Sequence, residues 1–179
     1  MTSTLQVQTL QGPTSGADSN VIRIADGHTL VGGQGSVIQE QTTVHTNGFS
    51  NTSTSWLQTG IEVAITPKLA SSKIVVTSIF NLNYEPTNTH HGMAVRLYNL
   101  NTSTQIGFGS DADGLFYSQG PWGTGNGHLQ FAVRAVDDQT YSTALRTYGL
   151  AIKNNNANST MGINADWGSN TITATEIAQ

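Results

Sequence analysis

Four short stretches carry side chains of the types that do chemistry. His90-His91 offers two imidazoles, "SDADG" (Ser110–Gly114) clustered carboxylates, and Asp137-Asp138 a carboxylate pair. "FYSQGPWGTGNG" (Phe116–Gly127) offers aromatic rings beside a run of glycines. Neighbouring strand residues point to opposite faces, so His90 and His91 reach one ion only where a loop bends them. No HxH or HExxH pattern and no cysteine accompanies them, so a solvated loop pair is the simpler reading. His28, His45 and His128 stand alone; a threefold axis would gather three copies of one of them, but the sequence does not select which. A calcium loop beginning at Asp111 would need a glutamate at its twelfth position, which here is Trp122. "SDADG" therefore reads as an acidic turn.

Asp137 and Asp138 are adjacent, whereas a glycosidase holds its two carboxyls ~5–9 Å apart across a cleft. "VDDQT" reads more simply as a turn with Asx-type capping. There is no GxSxG and no glycine-rich phosphate loop leading into a helix. No enzyme activity, cofactor or metal is expected. The aromatic stretch is the best candidate for a contact surface, through Phe116, Tyr117 and Trp122, because exposed aromatics anchor interfaces and stack on sugars. The competing reading places Phe116 and Tyr117 in a strand and folds Trp122 back as a lid on the core. Trp56, just ahead of the first orderly strand, is expected to be core.

The elements that must position these groups are strands. In "GIEVAITP", Ile61, Val63 and Ile65 alternate with Glu62, Ala64 and Thr66, and Pro67 ends the run because it has no ladder N–H. Ile74, Val76, Phe80 and Leu82 share one face of the next run, against Thr77, Asn81 and Asn83. Period two with one half-polar face marks an antiparallel sheet covering a core on one side. The same alternation recurs at Met93–Tyr98, Leu129–Arg134, Tyr148–Lys153, Met161–Ala165 and in "NTITATEIAQ". Turn-rich loops separate the runs, and "DQTYSTALRTYG" reads as a strand flanked by a turn because of its β-branched content. Many short strands without a helical period predict an all-β antiparallel sandwich of jelly-roll type over residues 51–179.

Residues 1–50 lack that order and read as an extended N-terminal arm for attachment. Its candidate anchors are Leu5, Val7, Val21, Ile22 and Ile24. Only 10% of the 179 residues are charged, against a usual ~25%. The polarity is neutral, from Thr, Ser, Asn, Gln and Gly. The net charge is −4 and the seven basic residues are scattered, so nucleic acid is not an expected partner. "TSTLQVQTLQGPTSG" lacks the basic and apolar regions of a secretory signal, and no run approaches the ~18 apolar residues of a membrane span. Synthesis in a cytoplasm, with no export by the general route and no membrane partner, is the expectation.

"STSWLQTGIEVAITPKLASSKIVVT" (Ser53–Thr77), "VRLYN…STQIGFG" (Val95–Gly109) and the ending "SNTITATEIAQ" (Ser169–Gln179) together resemble a family of small virion proteins of tailed bacteriophages, of the marine and cyanobacterial phage type. The resemblance covers roughly Thr54 to Gln179. It implies a trimeric jelly roll of the C1q/TNF type and a non-enzymatic structural role in the virion, after assembly in a bacterial host cytoplasm. No catalytic residue comes with it. The implied partners are two further copies of the chain and the major capsid protein or other virion proteins. Two roles compete: a capsid decoration or cement protein that clamps neighbouring capsid subunits through its arm, and the tip of a tail or head fibre that recognises a host-surface glycan.

Overall fold

In a computed structural model of the chain, the described residues are 34–85, 91–107, 116–120, 127–138, 142–154, 160–163 and 168–179. They form eleven strands and no helix: β1 (Val37–His45), β2 (Phe49–Asn51), β3 (Leu57–Ile65), β4 (Lys73–Glu85), β5 (His91–Asn99), β6 (Thr104–Ile106), β7 (Phe116–Gly120), β8 (Gly127–Asp137), β9 (Arg146–Asn154), β10 (Thr160–Ile163) and β11 (Asn170–Ile177). Every pairing between them is antiparallel.

Three of the eleven are continuations of others. β1 and β2 run in file along β11 and β10, β10 and β11 share one side of β4, and β6 and β7 share one side of β5. Counting each such pair once leaves eight strands in two sheets. The first sheet runs β1/β2, β10/β11, β4, β8; the second runs β3, β9, β5, β6/β7. In chain order these are 1-8-3-6 and 2-7-4-5, the double Greek-key order of a jelly roll.

The core is the apolar file of each strand. The first sheet contributes Ile74, Val76, Phe80, Leu82, Val133, Ala135, Met161, Ile163, Ile172 and Ala174. The second contributes Ile61, Val63, Ile65, Val95, Leu97, Ile106, Tyr148, Leu150 and Ile152. Phe80 and Phe131 stack with centroids 6.0 Å apart. Leu129 keeps the phase of Phe131 and Val133 but lies near the strand end and stays exposed.

The first sheet reaches into the stretch expected to be arm. Val37–His45 pairs with β11 along nearly its whole length, and Phe49–Asn51 pairs with β10. The period was hard to see because β1 is an edge strand whose half-buried positions include Gln39, Thr43 and His45 rather than an unbroken apolar file. Nε2 of His45 lies 3.0 Å from the amide nitrogen of Glu62 and 3.1 Å from its carbonyl oxygen, so either tautomer ties β1 to β3 across the two sheets. Leu5, Val7, Val21, Ile22 and Ile24 lie outside the described residues.

Two glycines answer to geometry. Gly60 has φ +77° at a register shift between β3 and β9, where two extra residues on β3 bulge out and the chain needs the left-handed conformation. Beside it, the Thr59 hydroxyl donates to the Leu150 carbonyl at 2.8 Å. Gly162 stands between Ser50 and Asn83, and a Cβ there would lie 2.8 Å from the Phe49 carbonyl oxygen.

The sandwich is closed by Glu176, whose exposure is 0%. Its carboxylate accepts from the amides of Lys68 and Leu69, the Ser72 hydroxyl and the Gln39 side-chain amide, at 2.6–3.0 Å. Burial alone would push this carboxyl up, but the donors together outweigh it and hold its pKa below the ordinary 4.5. A lowered folded pKa contributes stability above the ordinary value, and that contribution is lost as pH falls from about 4.5 through the folded value. Glu176→Gln presents an amide NH₂ to donors and should cost about 2–3 kcal/mol in urea unfolding at neutral pH. It should also flatten the fall in unfolding midpoint that the wild type shows on acidification below about pH 4.5.

Candidate functional site

Among the described residues the histidines do not converge, and His28 lies outside them. His90 lies outside the described residues, His91 opens β5 opposite Gly120, and His45 is committed to Glu62. His128 is exposed on β8, opposite Asn83. Among the described residues, no group of three His, Asp or Glu side chains could hold a metal ion. "SDADG" lies outside the described residues.

Asp137 and Asp138 part company. Asp138 is exposed, while Asp137 is 2% exposed at the end of β8. Asp137 Oδ2 accepts from the Tyr148 hydroxyl at 2.7 Å and the Asn99 side-chain amide at 3.2 Å, with Arg146 Nη1 3.9 Å away. Asp137 is thus the end of a strand, where the sequence reading put a turn. It joins β8 of the first sheet to β5 and β9 of the second. Burial, reinforced by the bond to Asp137, raises the Tyr148 phenol far above its ordinary pKa of 10. The cluster is a buried latch between sheets. An open groove of about 900 Å³ borders it, lined by β6, the end of β8 and the residue after each, including Gln105, Arg134, Asp137 and Asp138.

Phe116 and Tyr117 are strand residues of β7, opposite Val95 and Ala94. Trp122 lies outside the described residues. Trp56 is not core. It is half-buried, with the Arg96 guanidinium carbon 3.9 Å from its ring centroid. The same guanidinium lies 4.1 Å from the Tyr98 ring, so the cation sits against both rings, and Lys153 Nζ is 5.1 Å from Trp56. Arg96 and Tyr98 occupy the β5 positions that alternate with core Val95 and Leu97, which puts the cluster on the outer face of the second sheet. The signal available in the sequence was Arg96, Tyr98 and Lys153 sharing the polar phase of their strands.

The outer face of the first sheet is different. Its rows, read across the four strands, are Val44–Thr171–Ile79–Ala132, Thr42–Thr173–Thr77–Arg134 and Glu40–Thr175–Val75–Val136. Val44 is 56% exposed, Ile79 41% and Val136 39%. Glu40 and Arg134 stand at opposite edges of this threonine and aliphatic surface.

No protein-family model matches the chain, and no curated protein matches it.

Removing the phenol oxygen tests the latch. Tyr148→Phe should lower unfolding stability by about 1–2 kcal/mol, because Asp137 then loses a 2.7 Å bond in a buried site. The native fold, read by circular dichroism, should be retained.

Proposed function

We propose that this chain is a non-enzymatic structural protein of a bacteriophage virion. In this reading it is a capsid decoration protein that assembles as a homotrimer and clamps neighbouring capsid subunits. The three motifs quoted from the sequence support the virion assignment. The observation that carries the assembly is the outer face of the first sheet. An aliphatic and threonine surface with Val44, Ile79 and Val136 exposed is what a chain presents to another copy of itself. The acidic edge at Glu40 and the basic edge at Arg134 suit a head-to-tail ring, in which one copy's first edge meets the next copy's last. The expected arm ahead of Val37 would then be the segment that reaches the major capsid protein.

The aromatic and cationic outer face of the second sheet favours a second reading, the tip of a tail or head fibre that touches a host-surface glycan. Copy number separates the two. Quantitative mass spectrometry of purified particles should find the chain at hundreds of copies, on the scale of the major capsid protein. A few dozen would move it to a tail or vertex, and absence from particles would end the virion reading.

The assembly has its own test. Ile79→Glu places a charge at the centre of an exposed row without touching the core. Native mass spectrometry should find wild type at three times the 19.0 kDa protomer mass and the variant at one. A variant that remains trimeric would place the interface elsewhere.

A further inference from the structure

The outer face of the second sheet holds a cluster that neither the core nor the trimer reading uses. Arg96 is only 8% exposed although it projects away from the sandwich. Trp56 and Tyr98 cover it, and both remain partly open to solvent. Beneath lie small residues: Ala94 and Ala151 are 0% exposed on this outward phase, so the layer above them is closed. Gly149 continues the small file, and a Cβ there would meet Leu100 at 3.0 Å and Gln58 at 3.3 Å. The surface is thus a second, thin layer of side chains laid over a sheet whose own outward residues are small.

Two features of this layer are those of a recognition surface. The Arg96 guanidinium is held against two rings, so its charge and both rings are fixed before any ligand arrives. Lys153 adds a second cation beside Trp56, in a chain whose net charge is −4 with only seven basic residues. Aromatic rings accept the C–H face of a pyranose, and ammonium or guanidinium groups pair with carboxylate. Gln105 stands opposite Tyr98, and its amide nitrogen and oxygen have no hydrogen-bond partner, which leaves both available to sugar hydroxyls once the side chain turns outward.

We propose that Trp56, Tyr98 and Lys153, braced by Arg96, form a binding surface for an acidic polysaccharide, with a hexuronate pyranose stacked on the rings and its carboxylate at Lys153. The inference does not depend on where the protein sits in a virion, or on its being a virion protein at all.

The test uses the full chain and three probes: the tetrasaccharides of galacturonate, of mannuronate and of glucuronate alternating with N-acetylglucosamine. Neutral maltotetraose is the control. Titration calorimetry should show at least one acidic probe binding at ~10 mM or tighter, with maltotetraose about tenfold weaker or silent. Lys153→Gln should weaken the acidic probe about tenfold, with an unchanged melting temperature and a flatter salt dependence. Trp56→Ala should abolish binding, and because it also uncovers Arg96, Tyr98→Leu serves as the second ring variant. No binding of any acidic probe would overturn the proposal. So would binding that survives both Lys153→Gln and Tyr98→Leu in folded protein.

Discussion

A carboxylate shut away from water must be met by donors, and the way Glu176 is met organises the sandwich. Its two oxygens gather Lys68 and Leu69 from the turn after β3, Ser72 from the approach to β4, and Gln39 from β1. Glu176 itself lies on β11, between β1 and β4 in the first sheet. One side chain therefore fixes where the chain crosses from the second sheet to the first and how far β11 must run beside its neighbours. Leaving any of those donors unmet in the interior would cost ~1–3 kcal/mol, so the arrangement is kept whole or lost together. In the same row of the first sheet, with Ile74 of β4 between them, Asp137 performs the equivalent service for β5, β8 and β9. Two buried carboxylates, flanking Ile74 in one row, add fixed polar ties to two sheets that meet mainly through apolar side chains.

With the interior settled, the two outer faces are free to differ. The first sheet turns out threonine, valine and isoleucine in aligned rows, a surface with few charges to desolvate. The second buries its alanines under aromatic rings and a guanidinium. Self-association and ligand recognition make opposite demands: the former favours a dry face of matched shape, the latter fixed polar groups left partly wet. A sandwich separates the demands onto opposite sides of one core.

The core strands were plain in the sequence, because the pleat forces period two onto any strand with one buried side. Ile61, Val63 and Ile65, and Ile74, Val76, Phe80 and Leu82, fall where their alternation put them. What stayed hidden had a physical reason each time. Val37–His45 is an edge strand with Gln39, Thr43 and His45 among its half-buried positions, so no apolar file announced it. Trp56 looked like core because it is large and apolar, but the place it fills lies above small residues on the far side of the sheet. Asp137 seemed half of a surface turn because its partners, Tyr148 and Asn99, are 11 and 38 positions away. The motifs carried more than their composition suggested. Ser72 of "SSKI" donates to Glu176 of "TATEIAQ", and the Gln39 amide bridges that carboxylate to the Thr66 carbonyl of "ITP", while the arginine of "VRLYN" sits against the tryptophan of "STSW".

The close approach at Gly162 bears on how such a chain drifts over time. The Phe49 carbonyl oxygen that would meet a methyl group there is backbone, and backbone held in a ladder cannot swing aside as a side chain does. Surface threonines can turn over freely, and core aliphatics can exchange among themselves, without moving the strands. Position 162 has no such latitude, because nineteen of the twenty amino acids bring a Cβ. As descendants diverge until ordinary similarity fades, that glycine, facing β2 on one side and β4 on the other, is a landmark by which they could still be aligned.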